Sequence, residues 1–263
     1  MLPWQGPSFD TAVTLLRGAQ QAVAFTGAGV STPSGIPDFR SSTGLWQQYD
    51  PLEVASIGAF RRDPARFYAW IRPLARDILR ARPNPAHRAL AQLEQAGRLH
   101  AVITQNIDGL HQQAGSRRVI EVHGGLQRMV CLDCGWRGPA APFLTPAFLE
   151  GDALPRCPRC EAVLKPDATL FGEPLPAAAW RAAQEAVQQA DVVLVAGSSL
   201  EVLPAGHLPA QAYRNGAAVI IVNLQPTFMD VHAAAVLRGD VAQVLPALVQ
   251  AVLEPRSLEG GRP

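Results

Sequence analysis

The sequence predicts an α/β fold: a doubly wound parallel sheet with a helical insert and a small domain organised by cysteines. Three observations carry that expectation. Short continuous apolar runs at Ala22–Thr26, Ala101–Thr104, Asp191–Ala196 and Ala217–Val222 have the length and β-branched content of strands buried on both faces. Helical patterning separates them, as at Pro85–Gln95 and Ala177–Gln189, so each strand returns parallel to the last and the sheet is Rossmann-like. The stretch Met129–Glu161 breaks the pattern, with all four cysteines, several prolines and few long apolar runs.

Bulk properties bound the function. A chain of 263 residues, 48% of them apolar, can bury one sizeable core or a large and a small one. The formal charge of +1 gives no electrostatic reason to expect nucleic acid or an anionic membrane as partner. Lys165 is the sole lysine; arginine carries the basic charge, which reads as coding bias. No run approaches the roughly 20 apolar residues of a membrane span. Met1–Gln20 lacks a basic flank followed by an apolar run, so a cytoplasmic location is expected.

In chain order, Ser8-Phe9-Asp10 reads as the cap of a helix over Thr11–Ala19, which leads into the first strand. Thr43–Arg82 is mostly helical in pattern, and Val119–Val122 is a further short strand. The expected division is 8–42, 83–128 and 165–250 for the large domain, 43–82 for the helical insert and 129–164 for the cysteine module. Both inserts leave the sheet and return, which implies a cleft between large and small domains.

Cys131-x-x-Cys134 and Cys157-x-x-Cys160 form two knuckles 22 residues apart. Two thiolates at this spacing grip one ion from a tight turn, and two pairs complete a tetrahedral shell, so a small zinc-binding domain is expected. Gly135 and Pro158 suit the turns. Two disulfides are the competing assignment, disfavoured without a secretion signal. A four-sulfur shell leaves no open position, so the zinc would be structural.

Directly after the first strand comes Gly27-Ala28-Gly29-Val30-Ser31, then Gly35-Ile36-Pro37-Asp38-Phe39-Arg40. Glycines here let backbone amides approach a pyrophosphate. The sixth position is Thr32, so the dinucleotide fingerprint is incomplete, and no Gly-Lys-Ser/Thr follows. The second strand runs into Gln105-Asn106-Ile107-Asp108, and Val119–Val122 runs into His123-Gly124-Gly125. One such cluster is a turn cap. Three at strand ends that converge on one crevice are an active site.

Together with Phe171-Gly172-Glu173, Gly197-Ser198-Ser199-Leu200 and Val222-Asn223, this order of motifs resembles the sirtuin family over roughly residues 10 to 250, with wording similar to bacterial and archaeal members. The resemblance implies an NAD-dependent protein-lysine deacetylase that moves the acyl group to ADP-ribose and releases nicotinamide. Gly27, Ala28, Gly29, Ser31, Thr32, Asp38, Phe39 and Arg40 would line the phosphate and ribose path, with Phe39 shielding the ribose carbon from water. Gln105 belongs to this cofactor set, Asn106 would hold the ribose hydroxyls and a water, and Ile107 and Asp108 the carboxamide. His123 would be the general base, taking a proton through the ribose hydroxyls after the acyl oxygen has attacked. An imidazole suits proton removal near neutral pH. His111 is assigned to structure. Gly197, Ser198, Ser199, Asn223, Leu224, Asp240 and Val241 would surround the adenosine half. Phe171, Gly172, Glu173, Leu200 and Val202 would hold the acyl-lysine peptide as a middle strand.

Family members that prefer acidic acyl chains carry Tyr-x-x-Arg in the pocket helix. Counting without gaps from Pro64, those positions are Ile71 and Leu74, neither able to pair with a carboxylate. Acetyl or longer apolar acyl groups are therefore expected over succinyl; a register one turn away would bring in Tyr68 and Arg72. Transfer of ADP-ribose to protein is the nearest rival activity. A hydride-transferring dehydrogenase fits the glycine pattern poorly, and a zinc-ribbon nucleic-acid module finds only Arg137, Arg156 and Arg159 in its loop.

Overall fold

The computed structural model describes residues 6–38, 44 and 47–255. Six strands form one parallel sheet: β1 (Ala22–Thr26), β2 (Ala101–Thr104), β3 (Val119–Glu121), β7 (Val192–Ala196), β8 (Ala218–Asn223) and β9 (Ala235–Arg238). Their order is β3-β2-β1-β7-β8-β9. Chain order reverses between β1 and β7, which places a switch point beside the ends of these two strands. The Rossmann-like arrangement is as expected. Strand β9 was not, because four residues ending in an exposed arginine give too short an apolar run to stand out.

Side chains alternate along the strands into two cores. Ala22, Ala24, Leu194, Ala196, Ile220 and Val222 pack with helices α1 (Pro7–Gly18), α5 (Pro85–Gln95) and α10 (Val241–Leu253). Val23, Phe25, Ile103, Val193, Val195 and Ile221 pack with α8 (Ala177–Gln189) and α9 (Leu208–Arg214). Every residue of β1 and β7 is buried, which is why their sequences lack polar alternation.

The first helix starts earlier than Ser8-Phe9-Asp10 suggested. Pro7 occupies its first turn and Gly6 its cap, with no side-chain cap bond. Proline's fixed φ favours the first helical position, and its missing N–H costs nothing there.

A second sheet has three strands, β5-β4-β6, all antiparallel: β4 (Gly124–Val130), β5 (Arg137–Pro139) and β6 (Lys165–Ala168). It takes in Gly124–Arg128 and Lys165–Ala168, which composition had placed with the large domain. Strand pairing, not composition, sets these ends. Gly124 has φ +69°, and a Cβ there would lie 2.0 Å from the Asp167 carbonyl, so the sheet must begin on a glycine.

The insert forms α2 (Pro51–Val54), α3 (Ile57–Arg62) and α4 (Pro64–Arg80). Asp50, Ser56 and Asp63 cap them through side-chain oxygens. Phe60, Phe67, Tyr68, Ile71 and Leu74 share one core with Met129, Cys131, Phe148, Cys157 and Leu164. Insert and cysteine module are thus packed as one body. Two short helices follow β2 and β5: α6 (Leu110–Gln113) and α7 (Pro146–Leu149). Among the described residues no helix is long and apolar enough to cross a membrane.

Candidate active site

At the switch point the loop after β1 meets the loop after β7. The Gly29 amide donates to the Gly197 carbonyl at 2.8 Å. Gly197 has φ +60°, and a Cβ on it would sit 2.3 Å from the Val30 nitrogen. Only glycine lets the two loops approach this closely. A Cβ on Gly27 would lie 3.0 Å from Ser198. The two loops therefore meet backbone to backbone at the mouth of the crevice.

The loop after β2 closes the third side. Asn106 Nδ2 donates to the Gly27 carbonyl (3.0 Å) and to Ser31 Oγ (3.1 Å). Ser31 Oγ donates to Asp108 at 2.7 Å, and the Leu110 amide donates to the same carboxylate at 2.9 Å. Burial pushes the Asp108 carboxyl upward, opposed by these hydrogen bonds. Gln105 Nε2 donates to Ser198 Oγ at 2.9 Å, which joins the β2 loop to the β7 loop.

His123 follows β3. Its Nδ1 lies 3.0 Å from the Gln105 carbonyl. A carbonyl only accepts, so Nδ1 carries the proton and Nε2 the lone pair. The His123 carbonyl in turn accepts from the Thr169 amide, which ties the residue to the small sheet.

Behind this front is a polar layer that sequence patterning did not reveal. His111 Nε2 lies 2.9 Å from Thr26 Oγ1, which donates to Thr104 Oγ1 at 2.8 Å. His87 faces His111 with ring centroids 4.8 Å apart. His87 also closes a capping box with Asn84 at the start of α5, and the Asn84 amide reaches the Val30 carbonyl and Ser34. The helix over Pro85–Gln95 is expected from the sequence; that its cap braces the β1 loop is not.

Other expected residues fall in different surroundings. Leu224 is exposed, Asp240 caps α10 by accepting from the Ala242 amide, and Val241 is buried in the core. Asn223 Nδ2 donates to the Ser198 and Gln225 carbonyls, so it does border the β7 loop. Thr32 donates to the Gly29 carbonyl. Phe39 and Arg40 lie outside the described residues, as does Thr43. Phe171 pairs with the insert, its carbonyl accepting from Ile57 and its amide donating to Ala55. Leu200 is buried yet holds φ +63°, a strained conformation for a leucine, so any partner would meet its backbone and not its side chain.

The four cysteine sulfurs lie within 4.8 Å of one another. Two pairs are 3.5 and 3.6 Å apart. A tetrahedral tetrathiolate with metal–sulfur bonds of about 2.3 Å has edges of about 3.8 Å, whereas a disulfide needs about 2.05 Å. The donors therefore fit a metal and not two disulfides. Burial opposes ionisation of Cys131, but the amides of Cys134 and Asp133 and the neighbouring thiols bring it to about 7.

A family model described as the Sir2 family matches residues 27–204, which spans every loop of this site except the Asn223–Val241 part. The chain belongs to the Sir2 family. It is 47% identical to an NAD-dependent protein deacylase 2 of Archaeoglobus fulgidus, covering 94% of this chain and 96% of that one. An NAD-dependent protein deacetylase of Haloarcula marismortui is also 47% identical, over 93% and 95%. A solved Sir2 variant holding a deacetylated p53 peptide and acetyl-ADP-ribose superposes with TM-score 0.87 at 37% identity, covering 93% and 98%. A Sir2 homologue–NAD complex gives 0.84 at 38%, covering 92% and 93%. The parallel sheet and separate small sheet of this chain are thus those of Sir2 proteins.

Proposed function

We propose that this chain is an NAD-dependent protein-lysine deacylase that transfers the acyl group from lysine to ADP-ribose and releases nicotinamide. The observation that carries this is the Gln105 carbonyl on His123 Nδ1, beside the Asn106–Ser31–Asp108 chain at the switch point. It orients the ring with a proton on Nδ1, and in the neutral imidazole Nε2 would be the nitrogen that takes a proton from a ribose hydroxyl. Asn106 holds Ser31 and the Gly27 carbonyl, so the ribose site is built before NAD arrives. Asp108, fixed by Ser31 and the Leu110 amide, would receive the carboxamide. The Gly27–Ser31 turn and Gly197–Ser199 would border the diphosphate and adenosine half.

Division of labour follows from the same reading. The large sheet binds NAD, and the helical insert with the cysteine module forms the other wall. Zinc on Cys131, Cys134, Cys157 and Cys160 supplies structural cross-linking of that wall. Four reduced, metal-ready thiols suit a reducing compartment such as the cytoplasm.

The acyl group is apolar in this reading. Tyr68 donates to the Leu164 carbonyl, and Arg72 donates to Ala153 at 2.8 Å with its guanidinium 5.3 Å over Phe148. Both are engaged inside the small body. Tyr68 is spent on a backbone carbonyl, Arg72 is turned toward Ala153 and Phe148, and Ile71 and Leu74 offer a carboxylate no partner.

The test is nicotinamide release from NAD with and without an acetyl-lysine peptide. Release should depend on the peptide, and His123→Ala should lower it by about 10²–10⁴. Peptide-independent release with ADP-ribose on protein would replace this activity by ADP-ribosylation. Faster turnover of succinyl-lysine than acetyl-lysine would reject the acyl assignment.

A further inference from the structure

Lys165, the sole lysine of the chain, is buried where β6 begins. Its ammonium donates to the Pro166 carbonyl at 2.9 Å and the Ala168 carbonyl at 2.6 Å. Glu173 Oε2 lies 3.0 Å away, with side-chain exposure of 4% for the lysine and 19% for the glutamate. Three N–H groups meet three acceptors. The same Glu173 oxygen accepts from the Leu170 amide at 2.8 Å, and the Glu173 amide donates to the Leu170 carbonyl at 3.0 Å.

Leu170–Glu173 is thereby a closed turn, with Gly172 at φ +85° at its tip. Phe171 uses both of its backbone groups on the insert. Among the described residues, Gly172 is the one position of the turn whose amide meets no acceptor. The turn is fastened on three sides and open on the fourth. An added strand needs an edge like that, held rigid, because main-chain hydrogen bonds supply its affinity.

We propose that Lys165 is a positioning residue for the acyl-lysine peptide: through Glu173 it holds the Leu170–Glu173 turn so that the Gly172 edge stays presented to the substrate backbone. This rests on the deacylase reading for the identity of the peptide. It predicts that damage at Lys165 is felt more by the peptide than by the nucleotide: the ammonium acts on the turn directly through Glu173, and reaches the switch point only through the Ala168–Thr169 peptide unit, whose N–H holds the His123 carbonyl.

The experiment measures two affinities on the zinc-loaded full chain. A fluorescein-labelled acetyl-lysine peptide reports the first by anisotropy, and ADP-ribose the second by calorimetry. Lys165→Met and Glu173→Gln should each weaken the peptide tenfold or more and leave ADP-ribose within twofold. Lys165→Arg should recover the peptide to within threefold. Equal losses for both ligands, or an unchanged peptide affinity in folded Lys165→Met, overturn the proposal. The wild type alone gives a second reading by hydrogen exchange. The Leu170 and Glu173 amides should be slow without peptide, and Gly172 should become slow only with it; fast exchange at Leu170 and Glu173 in the free protein overturns the role. A wild type that binds peptide but releases no nicotinamide would sink the deacylase reading and leave the positioning role standing.

Discussion

Acidification should destabilise the fold through two buried histidines. His87 and His111 adjoin with their rings tilted by 60°, both with essentially no solvent exposure. Burial, aided by the charge of Arg88, pushes His87 down to about 4. Burial, aided by His87, pushes His111 down to about 3. Both rings are neutral in the folded chain at pH 5, whereas in the unfolded chain they take up protons below about 6.5. The unfolded state therefore binds more protons between about pH 6.5 and pH 4, and stability falls as pH drops through that window. From pH 7 to pH 5 the loss is about 2 kcal/mol per histidine, about 4 kcal/mol together. That is a large part of the roughly 5–15 kcal/mol holding a typical domain. Asp108 and Glu121 act in the opposite sense, since burial raises both carboxyls. The readout is accordingly a difference between proteins, in which these contributions and any acid loss of metal cancel. Urea midpoints are measured at pH 7 and pH 5 for the wild type and for His111→Gln. The variant should lose about 2 kcal/mol less than the wild type over that interval. Identical losses would show that His111 is not buried neutral and would refute the reasoning.

Two further outcomes are expected. Gly197→Ala puts a Cβ 2.3 Å from the Val30 nitrogen at φ +60°, so it should cost about 2–3 kcal/mol and weaken ADP-ribose; a urea midpoint equal to wild type would reject the close approach. The purified chain should release one zinc per molecule to a chromogenic chelator, with faster hydrogen exchange following in α4 as well as in Met129–Glu161, because they share a core; four thiols titrating at once in the untreated protein would exclude the metal.

Most of the site was legible because its residues sit where strands end. A short apolar strand is readable, and so is the abrupt polar loop behind it; Gly27–Ser31, Gln105–Asp108 and His123 stand out on that basis, whereas Gly197–Ser199 came from the family resemblance. What patterning missed acts across the sheet. Thr26 and Thr104 look like ordinary strand residues, and their pairing with His111 requires β1 and β2 to be neighbours in register. His87 lies on a helix with a clear apolar stripe, so nothing in its spacing separates a buried imidazole from a surface one. Asp240 carries a helix-capping role beside the one the resemblance implies. A polar residue after a strand also begins the next helix, and here its carboxylate does so visibly.

The edges of the small sheet share one cause with the geometry of His123. Composition changes at Met129, where cysteines and prolines begin, but the antiparallel sheet starts at Gly124, immediately after the histidine. The His123 ring is held by the Gln105 carbonyl of the large sheet, while its backbone carbonyl is held by Thr169 beyond β6. The residue stands on the seam between the two bodies. A rotation of the small body would therefore carry the backbone of His123 with it while Gln105 anchors the ring. On the proposed reaction, the small body would then do more than hold a peptide: it would set where His123 stands relative to the ribose, and the cysteine module would act by stiffening that body.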